Sequence, residues 1–394
     1  MSKEVFNYKK VNFKELRETL SFVPWHVAML DDNLDNTVSN WEDLFRAAVN
    51  DFIPRRTVPV KRSPPWIDAD VKTLCRKKDV ASRKALRTKD QLHINKFKSL
   101  RRDVKKLIRT KYNAYIKNLA DNVATDPKKF WNFYSCKTKA HKLPPAIKRD
   151  IIDPVPATNP IDKANLFNDY FHSVFNLKDD QPPPPGCHAI FPVSECLSNI
   201  TMSESEILTT LQSLNPSKSS GPDGIPSRLL KELAPEISSS ITCIFNKSLY
   251  EGSFPSKWKD RNLTPVFKAD LKDIVSNYRG IALLPILSKV LERHVHTRLY
   301  HHVSDFLNVN QHGFRQHRSC VTQLLQFVHS TAKSLDAGIQ TDVIYVNMAK
   351  AFDKVPHEKL LYKQEMVGVR GQLLAWFRNY FTNRRQNCHQ GVCF

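Results

Sequence analysis

Seventeen lysines and arginines fall between Val71 and Ala120, against three aspartates. Cations at that density gain affinity by displacing counterions from a polyphosphate, so the chemistry they offer is nucleic-acid binding. Lys77, Lys78, Arg101, Arg102, Lys105 and Lys106 are the candidate contacts. The competing reading is a solvated helix face, which suits a weaker excess better than this one. Two more cations, Lys268 and Arg279, flank a loop and could grip a triphosphate. Taken alone, each is more often an ordinary surface charge. Ser219 to Gly224 is a glycine-containing turn that could bring backbone amides close to phosphate, or could be no more than a good turn.

These residues need elements to hold them. From Ala69 to Asn122 the pattern is helical, with Phe97, Leu100, Val104, Leu107, Ile108, Tyr112, Tyr115, Ile116 and Leu119 recurring at steps of three and four. Lys and Arg fill the other face. A partner helix over Val71–Leu86 makes this a basic helical hairpin. Tyr112 and Tyr115 could stack on bases, but they fall in register with the aliphatics and read as core. The run Lys128–Tyr134, KKFWNFY, is an aromatic cluster expected to pin the helices together. Further helices are expected at Trp41–Phe52, Ala164–Phe175, Ser203–Leu214, Leu229–Leu249, Ile286–Leu299, Val321–Leu335 and His357–Met366. Ser203 and Glu206 form a capping-box start. Strands are expected at Leu263–Phe267 and, as a buried type, at Asp342–Asn347. Four consecutive prolines from Pro182 to Pro185 can continue neither a helix nor a central strand.

The 394 residues carry a net charge of +21, with 41% hydrophobic residues, a globular composition with a polyanionic partner. No apolar run precedes a cleavage site at the start, and no stretch nears the ~20 apolar residues of a membrane span. None of the eight cysteines forms a CxxC pair. Cys388 and Cys393 have a knuckle-like gap, but no further ligands follow them. All eight read as reduced thiols of a cytoplasmic or nuclear protein.

Four blocks, in this order, resemble the reverse transcriptase of LINE-type, Jockey-like retrotransposons. They are Asn215–Pro226; Leu263–Lys268 with Asn277–Leu284; Gln311–Arg315 with Arg318, Ser319 and Gln323; and Val343–His357. The resemblance covers about residues 200–385, and Trp41–Phe175 resembles the helical linker ahead of such polymerases. It implies that Lys268 and Arg279 belong to the fingers, beside the incoming nucleotide. Lys350, Ala351 and Phe352 are then nucleotide-binding, with Phe352 as the aromatic gate against the ribose 2′-hydroxyl. Gly313, Phe314, Arg315 and Arg318 are then expected along the template strand.

Polymerases of this class use two Mg²⁺ ions held by carboxylates. By resemblance, the first of these carboxylates belongs at position 347, where this chain has Asn347. An amide offers one neutral oxygen and binds Mg²⁺ far more weakly. Asp353 resembles the second aspartate of that motif, which is not a ligand, and Asp342 sits at the wrong end of the expected strand. The double-aspartate box implied further on does not occur before Phe394. The chain therefore reads as a middle slice of a longer polyprotein, with no endonuclease before it and no Cys/His knuckle after it.

The expected fold is α+β: a basic all-helical region, then right-hand polymerase fingers and a partial palm. The expected divisions are an N-terminal linker segment over 1–65, the basic helical region over 66–176, a Pro-rich linker over 177–199 and the reverse transcriptase part over 200–394. The expected function is that of an RNA-directed DNA polymerase family chain. It would bind an RNA template and DNA primer, and dNTP if active; it meets no membrane, has no intact metal site, and is inactive as given. The alternative is a non-enzymatic RNA/DNA-binding protein that acts through its basic helices.

Overall fold

A computed structural model describes residues 3–58, 64–138, 143–152, 155–175 and 195–388; the four prolines and Cys393 lie outside them. In chain order the elements are β1 (Lys3–Phe6), α1 (Phe13–Phe22), α2 (Trp25–Ala28), α3 (Leu34–Phe52), β2 (Arg55–Val58), α4 (Ala69–Thr88), α5 (Gln91–Asp121) and α6 (Pro127–Thr138). Then follow α7 (Pro160–Ser173), α8 (Glu204–Gln212), α9 (Ser227–Glu232), α10 (Ala234–Tyr250), β3 (Asp260–Phe267), β4 (Tyr278–Leu283) and α11 (Ile286–Val303). The last are α12 (Cys320–Asp336), α13 (His357–Met366), α14 (Gly371–Phe381) and β5 (Arg385–Cys388). The chain is α+β. No described helix is long and apolar enough to cross a membrane.

The described residues divide into two compact units, those within 1–11 and 53–142 and those within 12–52 and 143–392. In the first, β1 and β2 pair antiparallel, with Lys3 opposite Val58. Asp68 opens α4 by accepting the Val71 N–H (3.2 Å), and Lys89 closes it in the left-handed conformation at φ 49°. Asp90 then caps α5 by accepting the Leu92 N–H (3.1 Å). Two caps within so short a turn fold the helices into an antiparallel hairpin. The expected stripe faces inward: Val104 and Leu119 are buried against a partner face that contributes Val71 and Ala85. Trp66 packs on Tyr112 (5.0 Å between rings) and Tyr115 (5.5 Å), so both half-buried tyrosines pack inward rather than standing free for bases. Lys111 holds the hairpin's open end through Asp68 and Asp70.

In the second unit α10 is the centre. Residues 12–52 pack on it: Trp41 donates from Nε1 to the Ser240 hydroxyl (2.9 Å) and stacks between Trp25 and Phe45. Helix α3 begins at Leu34 rather than Trp41, because the Asn33 side chain accepts the Asp35 N–H at 2.8 Å and caps it earlier. The capping box of α8 is present as expected. On the far side, Trp376 of α14 is 1% exposed, stacks on Tyr380 and donates to the Ser248 hydroxyl (3.0 Å). Truncation there removes a buried ring and one of the two hydrogen bonds of the Ser248 hydroxyl, which still donates to the Ser253 carbonyl. Trp376→Ala is expected to cost about 3–5 kcal/mol. The check is a lower denaturant midpoint at unchanged m-value; a shift under ~1 kcal/mol would mean that the region collapses around the gap.

The sheet has the order β4–β3–β5, with β3 antiparallel to β4 and parallel to β5. Its inner face packs Leu263 and Tyr278 on Phe167 and Phe171 of α7. Gly280 permits this, because a Cβ there would come within 3.3 Å of the Phe171 ring. Strands β4 and β5 and helix α14 were not expected from the sequence.

One expected strand is absent. Residues 342–347 are irregular, and Ile344 is 86% exposed. A buried strand requires ladder partners and covering layers, and among the described residues neither lies against this segment. Helix α12 has the expected apolar periodicity yet buries none of its residues, so Leu324, Leu325 and Val328 stand in solvent.

Candidate nucleic-acid and nucleotide site

The solvent face of the β3–β4 hairpin is set by strand alternation. With Phe267 and Tyr278 turned onto α7, the opposite face carries Val266 paired with Arg279, both exposed. Lys268 follows two residues after Val266, and its N–H is fixed by the Asn277 carbonyl (2.8 Å). The two cations flanking the loop therefore stand on one face, at the root of the hairpin tip. Hairpin register, legible only once β4 exists, is what brings them together.

The Ser219–Gly224 turn has a packing reason. A Cβ on Gly221 would lie 2.4–2.5 Å from the Leu284 and Pro285 backbone, so the turn rests directly on the junction between β4 and α11. Arg46 donates to the Asp223 carbonyl. Burial pushes the Asp223 carboxyl up to about 6; the Glu42 charge adds to the rise, while the Ile225 N–H and the Arg46 charge pull against it. Its folded value lies above the ordinary one, so the unfolded chain ionises first as pH rises. Stability from this group is complete below about pH 4 and is lost by about pH 6. Asp223→Asn should thus be more stable than the parent by roughly 2–3 kcal/mol at pH 7–8, with the difference vanishing near pH 4. Denaturant titrations at the two pH values decide it, and a pH-independent difference would rule out the buried carboxyl as its source.

The third and fourth sequence blocks meet. The Phe314 ring, at φ 60°, stands edge-on to Phe352 with 5.6 Å between centroids. Both rings are largely exposed. Two residues before Phe314, buried His312 binds the Thr322 hydroxyl and the Gln326 amide oxygen, each at 2.8 Å, and so ties block three to α12. Arg315 donates to the Asn308 carbonyl (3.0 Å) and serves the loop itself, whereas Arg318 is exposed. Lys350, at φ 54°, lies over the Tyr170 ring at 4.2 Å and donates to its hydroxyl. That contact draws the turn containing Ala351 and Phe352 to α7, the helix that also carries the hairpin. No sequence signal marked Tyr170 as a partner.

Asn347 is exposed and lies in the irregular segment, with Asp342 before it and Asp353 after it. Among the described residues no three His, Cys, Asp or Glu side chains converge to hold a metal ion. The donor set at position 347 is therefore a neutral amide without a carboxylate cluster. In the other unit, Lys77, Arg101, Arg102, Lys105 and Lys106 are exposed along the hairpin, and Lys78 pairs with Asp79 at 3.0 Å.

Residues 266–394 match the family model described as reverse transcriptase (RNA-dependent DNA polymerase). The chain is similar to the RNA-directed DNA polymerase from mobile element jockey of Drosophila funebris, 24% identical over 92% of this chain and 41% of that protein. Its counterpart in Drosophila melanogaster is 25% identical over 89% of this chain and 39% of that protein. The probable RNA-directed DNA polymerase from transposon BS of Drosophila melanogaster is 30% identical over 40% of this chain and 18% of that protein. The chain thus spans about two fifths of the length of the first two relatives.

Proposed function

We propose, for a chain that belongs to the reverse transcriptases of LINE-type (non-LTR) retrotransposons, that these 394 residues bind an RNA template and DNA primer without extending it. The observation that carries this reading is Asn347 at the position of the first metal-binding aspartate. Two-metal phosphoryl transfer requires anionic oxygens to gather two divalent cations, and an amide supplies no charge. The residues around position 347 do not fit Mg²⁺, so no catalytic step is derived through it.

Substrate engagement needs no metal ligand from position 347. Lys268 and Arg279 share the hairpin face from which fingers of this class would meet a triphosphate. Phe352 would act as the gate beside the sugar, with Gly313, Phe314 and Arg318 on the template side, and the edge-on contact of Phe314 with Phe352 supports one continuous surface. Residues 200–394 would then form fingers and a partial right-hand palm, working in the cytoplasm or nucleus. The test is paired: anisotropy titration of a labelled RNA–DNA primer–template, and gel analysis of primer extension with dNTP and Mg²⁺. Binding with steep salt dependence and no extension is expected, whereas extension would overturn the proposal.

A second reading gives all the useful binding to the basic hairpin and none to the fingers. The exposed row Arg101, Arg102, Lys105 and Lys106 favours it. Replacing Lys268 and Arg279 with glutamine separates the two, since primer–template affinity falls only where the fingers share the binding with that row.

A further inference from the structure

The aromatic run KKFWNFY on α6 does two different things. Phe133 packs inward on Trp66 (6.2 Å) and Tyr115 (5.8 Å), and the Lys137 ammonium lies over the Trp66, Tyr112 and Phe133 rings at 5.5–5.8 Å. These packings seat α6 on the basic hairpin, as the sequence leads one to expect. Trp131, which also packs edge-on to Phe130 (5.4 Å), and Tyr134 stand further out. Trp131 is 59% exposed and Tyr134 47% exposed, and their rings touch edge to face at 5.8 Å.

Large aromatic rings left in water cost free energy and mark a surface that something else covers. The charge around them says what. Lys128 and Lys137 on the same helix are exposed, and the hairpin that carries α6 holds seventeen Lys and Arg between residues 71 and 120 against three Asp. A surface of that sign repels another basic face and attracts phosphates. Phosphates that arrive with accessible ring faces belong to an unpaired strand, because in a duplex the bases are stacked on each other.

We propose that Trp131 and Tyr134 form a base-stacking platform for single-stranded nucleic acid, with Lys128 and the basic hairpin tracking its phosphates. This rests on the nucleic-acid binding proposed above and adds to it a strand preference and two residues. The Lys137 cation–π seat is the positioning device: it fixes α6 so that the outer rings are presented rather than free to turn in.

The experiment uses the full chain with fluorescein-labelled U20 RNA, dT20 DNA and a 20-bp duplex, read by anisotropy at several salt concentrations. Trp131→Ala should weaken U20 or dT20 binding by about tenfold, and the double change with Tyr134→Ala further. Trp131→Phe should recover most of the loss, since it restores a stacking face. Duplex affinity and the salt slope should stay where they were, because the rings touch no phosphate. A loss on either single strand supports the platform, and the larger loss names the strand. Unchanged single-strand affinity in the double variant would overturn it and leave the rings to a protein partner. An equal loss on the duplex would also overturn it, because that pattern marks a structural role. If the parent chain binds none of the three probes, the nucleic-acid reading itself fails, which is a distinct result.

Discussion

Replacing Arg101, Arg102, Lys105 and Lys106 together with glutamine is expected to lower duplex affinity by three to four orders of magnitude near 0.1 M salt. The four side chains are exposed on one stretch of α5, outside the stripe that faces α4. Each cation that neutralises a phosphate releases about 0.9 of a counterion, which is worth nearly a decade of affinity per tenfold dilution of salt below ~1 M. With four such cations gone, the slope of log K against log salt should also fall by roughly 3.6. Glutamine keeps helix propensity close to that of Lys and Arg, so circular dichroism and the melting temperature should hardly move. The magnitude and the slope must change together. An unchanged slope would show that the row is a solubility face, and the binding role would pass to Lys268, Arg279 and the Phe314–Phe352 surface.

The second large effect is an absence of chemistry. Primer extension by the 394-residue chain is expected to be undetectable with Mg²⁺, and Asn347→Asp alone is expected to leave it so. Losing one essential electrostatic element commonly costs 10²–10³ in rate, about 2.7–4 kcal/mol. On the proposed reading the loss is deeper: among the described residues no set of three acidic, His or Cys side chains could hold an ion, so one added carboxylate still lacks companions. The segment that carries position 347 also lies exposed and outside any strand, so an aspartate there is not pre-positioned. Single-nucleotide incorporation on an RNA–DNA hybrid, resolved on a denaturing gel, is the measurement. Incorporation by the parent would sink the inactive reading. Incorporation by Asn347→Asp alone would show that the amide was the sole defect and that Asp342 or Asp353 completes the set.

Much of the local structure was legible because its causes are local. The α5 stripe from Phe97 to Leu119 follows from 3.6-residue periodicity, and the structure turns that same stripe inward. Ser203 and Glu206 start α8 through hydrogen bonds three residues apart, which a sequence displays directly. The hairpin of α4 and α5 rests on Asp68, Lys89 and Asp90, all within the turn or beside it.

Local pattern therefore accounts for most of the long helices, the basic face of α5 and the four blocks that resemble a polymerase. The rest depends on contacts between residues far apart in the chain. DVIYVN has the composition of a buried strand, yet a strand exists only when another offers its ladder, and among the described residues none does. Strand β5 forms beside β3 because α14 and its Trp376 bring Arg385 to Asp260 across 125 positions. The same long-range closure sets Phe314 against Phe352, seats Lys350 on Tyr170 and raises the Asp223 carboxyl. Within the one aromatic run of α6 it half-buries Phe133 and leaves Trp131 in water. Periodicity tells which residues share a face; only packing tells whether that face meets protein or solvent.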